Sequence, residues 1–249
     1  MHTLADGIRY ILVTGATGFI GAHVVDNLLA RGFSVRGSTR SASKGEQMKA
    51  ARPQYASKLD FVVIEDFTQI DATSVIAYRG SKKFAELAAW DFIKNEKPQF
   101  DLVTLCPPMV FGPIVHPVPS LDQLNESNAQ LWTVAAGVHP LPGARVPAWI
   151  DARDLAEAHV QALVTPEASG KRFIPAASEP FSYEYAADIM KEAFPWAKES
   201  VTSNYMSGVK PRAEYGVDGE TVARELGVKY RSFKETVVDL AGQVKETLV

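Results

Sequence analysis

The sequence predicts an α/β protein built on a doubly wound parallel sheet, with a smaller C-terminal part, and three observations carry that expectation. An apolar run, Tyr10 to Val13, ends in a glycine-rich turn, Val13-Thr14-Gly15-Ala16-Thr17-Gly18-Phe19-Ile20-Gly21. An amphipathic stretch follows as far as Arg31, with Ile20, Val24 and Leu28 recurring on one helical face and Gly32 as a stop signal. A second apolar stretch, Phe33 to Val35, comes directly after. Strand, turn, helix and strand in that order describe a unit whose two strands lie parallel.

In a Rossmann-like unit of this kind Gly15 permits the tight turn, Gly18 lets backbone amides approach a pyrophosphate, and Gly21 lets the helix lie close on the strand. The helix N-terminus then faces the anion, so a dinucleotide is the expected ligand. The end of the second strand carries Arg36, Ser38, Thr39 and Arg40, with Lys44 just beyond, and no acidic residue occurs between Asp26 and Glu46. An NAD site places Asp or Glu about 20 residues past the glycines to hold the ribose 2'-hydroxyl, whereas Arg40 suits a 2'-phosphate. The residues therefore favour NADPH over NADH, the alternative being a solvated basic loop.

A third strand, Leu59 to Ile64, reads as buried on both faces and ends in Glu65-Asp66-Phe67, at the carboxyl end where ligands of such sheets lie. Tyr78-Arg79-Gly80-Ser81-Lys82 opens a helical stretch that runs through Phe84, Leu87, Ala88 and Trp90 to about Asn95. Tyr78 and Lys82, four residues apart, share a face. Taken alone such a pair is common; behind a phosphate loop it is the expected acid for carbonyl reduction, the ammonium favouring phenolate character. The strand Leu102 to Leu105 leads to Cys106-Pro107-Pro108-Met109-Val110-Phe111-Gly112-Pro113, where two prolines are expected to end sheet pairing and hold an extended loop.

Beyond that point the composition shifts, with prolines at 113, 117, 119, 140, 142 and 147 around a helical stretch from about Leu121 to Ala136. Residues 1–115 are expected to form the nucleotide-binding domain and 116–249 mainly a substrate-binding part, with some elements returning to the first. Met109, Phe111, Trp132 and Trp149 read as pocket lining or as plain core. Trp149-Ile150-Asp151 is expected to lead into a helix from Ala152 to Leu163, followed by a short strand at Arg172 to Ile174. Helices at Tyr183 to Phe194, at Thr221 to Leu226 and from Phe233 complete the chain. Asp151, Asp154, Glu157 and His159 resemble a ligand set, but carboxylates at a helix start suit the macrodipole, and no paired-His zinc spacing occurs, so no metal is expected.

At 249 residues, 46% hydrophobic and 22% charged, the chain can bury a sizeable core. A net charge of −3 supplies no basic field for nucleic acid or anionic lipid, so small molecules are the expected partners. The polar start, Met1 to Gly7, and the lack of a membrane-length apolar run point to the cytoplasm, and the single Cys106 fits a reducing compartment.

TGATGFIG at 14–21, YRGSK at 78–82, CPPMVFGP at 106–113 and WIDARDLAEAHV at 149–160 together resemble the extended short-chain dehydrogenases. Within that family the chain is similar to the dihydroflavonol 4-reductase group and to its fungal methylglyoxal, aldehyde and polyketide-pathway keto-reductases. The resemblance implies Tyr78 as the catalytic acid and Lys82 as its assistant and the ligand of the nicotinamide ribose. It implies Gly15, Thr17, Gly18, Phe19, Ile20 and Gly21 around the pyrophosphate, Arg40 and Lys44 at the 2'-phosphate, Asp66 at the adenine, and Pro107 and Val110 beside the nicotinamide. A homodimer is left open.

One departure is large. Eleven residues separate Asp66 from Tyr78, where the family has two further strand-helix units of roughly 30 residues each. Two central strands are therefore expected to be absent, and with them the Ser that polarises the carbonyl; Thr73 and Ser74 lie nearby. The sequence reads as an incomplete version of a longer reductase, with the missing segment between about Phe67 and Val75. A non-catalytic NADP-binding sensor or scaffold is the second functional class, and retention of both Tyr78 and Lys82 argues against it.

Overall fold

The computed structural model describes residues 11–64, 75–144, 146–209, 211 and 216–249, with residues 75–79 and 81 described by backbone alone. Strand β1 (Ile11–Val13), helix α1 (Phe19–Ala30), strand β2 (Val35–Thr39), helix α2 (Ala42–Ala50) and strand β3 (Leu59–Val63) make the first unit. Its sheet runs β1-β2-β3, all parallel, with Val13 opposite Gly37 and Gly37 opposite Phe61. Val13, Val25, Leu28, Leu29, Val35 and Leu59 form the core between α1 and this sheet.

Helix α3 (Val75–Glu96) follows, then β4 (Thr104–Leu105), β5 (Met109–Phe111) and α4 (Glu126–Ala135). The chain continues through β6 (Trp149–Asp151), α5 (Ala152–Val164) and β7 (Arg172–Phe173) to α6 (Tyr183–Ala193), α7 (Ala197–Ser200), α8 (Glu220–Leu226) and α9 (Phe233–Leu248). Among the described residues β4 pairs in parallel with β7 alone, and β5 with β6 alone. Among the described residues no strand joins β1 to β4. The short spacing before Tyr78 is the stretch of sequence that lies between these two sheets.

One local expectation is corrected. Met109–Phe111 is a strand, not a continuation of the proline loop, because its partner at Trp149–Asp151 supplies the ladder that Pro107 and Pro108 cannot. Trp149–Asp151 is correspondingly strand, and α5 begins at Ala152 as the sequence reading has it, with the Asp151 side chain accepting the Arg153 amide as its cap. The same pairing settles the apolar residues of this region: Phe111 and Trp149 are fully buried core rather than pocket lining. They meet Phe181, Tyr183 and Phe233 in a ring cluster, with centroids 5.1 Å apart for Phe111 and Phe181 and 5.0 Å for Trp149 and Phe233. Each such pair adds about 0.5–1.5 kcal/mol beyond its area burial.

Helices α6 and α9 close this second core, each started by a serine. Ser182 accepts from the Tyr185 amide (3.1 Å), and Ser232 from the Glu235 amide (3.2 Å). Helix α5 ties the halves together. Its Val160 enters the α1 core, and Glu157 receives Asn27 (2.9 Å) and Arg31 from α1. Among the described residues no helix is long and apolar enough to cross a membrane.

Candidate cofactor and active site

The turn between β1 and α1 is held on the C-terminal end of β2. The Gly15 amide donates to Ser38 Oγ (3.2 Å) and the Ala16 amide to the Ser38 carbonyl (3.2 Å), while the Thr17 and Thr39 hydroxyls meet at 3.3 Å. Gly15 has φ +64°, a conformation that disfavours side chains, and the Gly18 amide folds back to its carbonyl (2.9 Å). A Cβ on Gly21 would stand 2.2 Å from the Gly15 carbonyl oxygen, so only glycine lets α1 start this close to the turn. Helix α1 has no side-chain cap and no acidic residue in its first turn. Its leading amides are thus left for an outside acceptor, and the dipole favours an anion.

Around this turn the structure gathers several of the residues that the sequence singles out. Phe19 and Ile20 pack against the cluster of Val110, Ile150, Ala152 and Leu155, so the strand bearing Val110 lies beside the start of α1. Arg40 follows β2 and Lys44 sits in the first turn of α2, both exposed. Arg36 turns instead to Asp60 on β3 (3.2 Å), whereas Arg40 and Lys44 have no carboxylate partner among the described residues. Pro107 lies half-buried between β4 and β5. Asp66 and the alternatives Thr73 and Ser74 lie outside the described residues.

Tyr78 and Lys82 are both on α3; Lys82 is exposed, and the Tyr78 side chain is outside the described residues. The residue that seats this helix was not singled out by the sequence. Glu86, one turn past Lys82, accepts from Thr104 Oγ1 (3.1 Å), Cys106 Sγ (3.4 Å) and Arg172 Nε (2.8 Å), tying α3 to the ends of β4 and β7. Desolvation would raise its pKa, yet the hydrogen bonds from Arg172, Cys106 and Thr104 hold it below the ordinary carboxylate value. The signal was there in the spacing of Tyr78, Lys82 and Glu86 at successive fourth positions on one face.

A histidine pair lies against Phe19. His23 donates from Nε2 to the Pro113 carbonyl (2.8 Å), and the His116 ring stands 6.1 Å from that of Phe19. Burial, then the charges of His23, Lys44 and Arg52, push His116 down to about 4 from 6.5. With a folded pKa below the unfolded one, the unfolded chain binds the extra proton, so this contribution is full above pH 6.5 and is lost as pH falls toward 4. Discounted for partial solvent access it amounts to ~1–2 kcal/mol. The urea midpoint is expected to fall across that window, and to fall less in His116→Gln; equal slopes would remove His116 as the cause.

The carboxylates near β6 serve the fold. Asp151, fully buried, accepts from Arg153 Nε (2.9 Å), Arg153 Nη2 (2.8 Å) and Thr236 Oγ1 (2.7 Å). Asp154 is held by Arg231, Glu157 by Arg31, and His159 donates to the Leu155 carbonyl (2.8 Å). Among the described residues no group of three His, Cys, Asp or Glu is placed to share a metal ion.

Residues 11–96 match the model of the NAD dependent epimerase/dehydratase family. By that match they belong to it. The chain is 38% identical to the ketoreductase azaE of Aspergillus niger over 174 residues, 69% of this chain, and spans only about half (51%) of that relative's length. An uncharacterized oxidoreductase of Schizosaccharomyces pombe is 25% identical over 331 residues, covering 96% of this chain and 97% of the relative. Since 96% of 249 residues is about 240, about 90 positions of that alignment hold no residue of this chain, room for two units of roughly 30 residues and a loop. The fold of this chain matches that of a yeast methylglyoxal/isovaleraldehyde reductase solved with NADPH. The TM-score is 0.82 at 24% identity, over 95% of this chain and 98% of that one.

Proposed function

We propose that this chain binds NADPH and reduces a ketone or aldehyde, with residues 1–115 holding the nucleotide and 116–249 mainly the substrate. The observation that carries the reading is the turn at 13–21: uncapped amides at the start of a 12-residue helix, brought up to the strand by a glycine with no room for a Cβ. Gly15, Thr17, Gly18, Phe19, Ile20 and Gly21 border the pyrophosphate; Arg40 and Lys44 hold the 2'-phosphate; Asp66 lies at the adenine; Pro107 and Val110 flank the nicotinamide. Bound there, NADPH supplies the hydride for the carbonyl carbon.

Tyr78 donates its phenolic proton to the carbonyl oxygen, and Lys82 orients the ribose and stabilises the phenolate left behind. Bringing a Tyr pKa from about 10 to about 7 takes roughly 4 kcal/mol, which an ammonium and a nicotinamide cation share. The likeness to a fungal ketoreductase supports a ketone as the substrate, and the setting proposed for the reaction is secondary metabolism. A small carbonyl compound is the partner and the cytoplasm the compartment. No residue of this chain matches the family's carbonyl-polarising Ser, and the loss of one such donor costs about 2.7–4 kcal/mol in the barrier. That loss favours the second reading, an NADP-binding sensor without turnover. NADPH oxidation measured against a panel of aldehydes and ketones separates the two: turnover supports the reductase, tight binding with none supports the sensor.

Cofactor choice is tested apart from turnover. The chain is expected to bind NADPH more tightly than NADH, and Arg40→Asp to narrow or reverse the preference, because a guanidinium on a phosphate makes a charge-assisted bond that a carboxylate opposes. Equal affinity of the parent chain for both cofactors would exclude the assignment of Arg40 and Lys44.

A further inference from the structure

The open place in the sheet has a shape that names what fills it. Ile11 donates its amide to Ser34 on the β2 side (2.8 Å). Successive amides of a strand alternate in direction, so the Leu12 amide points to the other edge of β1. Thr104 and Cys106 likewise donate to Lys171 (3.1 Å) and Phe173 (2.9 Å), which turns the Leu105 amide to the other edge of β4. No described strand meets either edge. Leu12 on β1, Phe84, Leu87 and Phe92 on α3, and Phe100 just after it are 47–68% exposed. The Phe92 and Phe100 rings stack on each other at 6.4 Å. Two bare sheet edges and a helix with outward apolar side chains therefore all border the short link between β3 and α3.

We propose that this opening is the seat of a strand–helix–strand–helix segment carried by a longer form of this chain between Phe67 and Val75. Two parallel apolar strands of the segment pair between β1 and β4, and a helix of the segment covers Phe84 and Leu87. The inference stands on the sheet and does not need the proposed activity. A second copy of the chain is the weaker occupant. A two-fold contact sets an edge against itself, antiparallel, and so cannot continue the parallel order of β1-β2-β3 or bridge β1 to β4. The length also agrees, because about 90 unmatched positions accommodate two units of roughly 30 residues with a connecting loop.

Amide exchange reads the seam directly. In dilute 249-residue protein the Leu12 and Leu105 amides are expected to exchange on the order of a hundredfold faster than those of Ile11, Thr104 and Cys106. A chain carrying the matching segment of the S. pombe relative between Phe67 and Val75 is expected to abolish that difference and to raise Tm. Equal protection of Leu12 and Leu105 in the dilute parent would overturn the proposal, as would protection that arises only as the parent dimerises. Should the filled chain fail to fold, Phe84→Glu/Leu87→Glu in the parent decides: an unchanged Tm supports a bare face, and a fall shows it already covered. Messenger sequence across codons 67–75 is expected to include a form with the segment; a direct join in every transcript would refute the longer form.

Discussion

Tyr78→Phe is expected to lower carbonyl reduction by on the order of 10²–10⁴-fold while NADPH still binds, because it removes the proton that the carbonyl oxygen must receive and keeps the ring. Lys82→Met is expected to weaken both cofactor binding and turnover, since one ammonium serves the ribose and the phenol. The measurement is single-turnover reduction beside a separate NADPH titration, so that a loss in chemistry is not read as a loss in binding. The baseline for both is the 249-residue chain, whose rate is itself expected to be lowered about 10²–10³-fold for want of the carbonyl-polarising Ser. Full turnover in Tyr78→Phe would make another group the acid, Ser74 or a bound water being the next to test.

Gly21→Ala is expected to be destabilising and to remove NADPH binding. In a helix interior Gly to Ala ordinarily stabilises by about 0.5–1 kcal/mol. Here the new methyl would stand 2.2 Å from the Gly15 carbonyl oxygen and 2.9 Å from its carbon, and both are backbone with no flexible end to swing away. Either α1 withdraws from β1 or the turn opens, at about 1–3 kcal/mol for overpacking and roughly 2–4 °C of Tm for each kcal/mol in a chain of this size. The displaced amides then no longer converge on one anion. Gly80→Ala is the control, since a Cβ there meets nothing within 4 Å, and it is expected to hold or raise Tm. An unchanged melt and unchanged NADPH affinity in Gly21→Ala would mean that the turn does not hold the pyrophosphate.

Much of the candidate site was legible because its signals are local. The order of apolar run, three glycines and amphipathic helix specifies β1, the turn and α1 within about twenty residues, and the structure places Gly15 at φ +64° and Gly21 against the turn accordingly. The lack of any acidic residue between Asp26 and Glu46, and the basic pair Arg40 and Lys44, are also facts of a short stretch. The fourfold spacing of Tyr78 and Lys82 places them on one face of any helix.

By itself, then, the sequence determined the βαβ start, the family likeness, and the shortness of the link between β3 and α3. Tertiary structure decided the rest. Met109–Phe111 becomes a strand only because Trp149–Asp151, some forty residues on, offers a parallel partner, and no local pattern records a ladder formed at that distance. Phe111 and Trp149 became core for the same reason, and Glu86 acquired its role when α3 came to rest on Thr104, Cys106 and Arg172. The outward turn of Phe84 and Leu87 is likewise a tertiary fact: a helical stripe is written in the chain, but whether anything covers it depends on which strands and helices stand opposite.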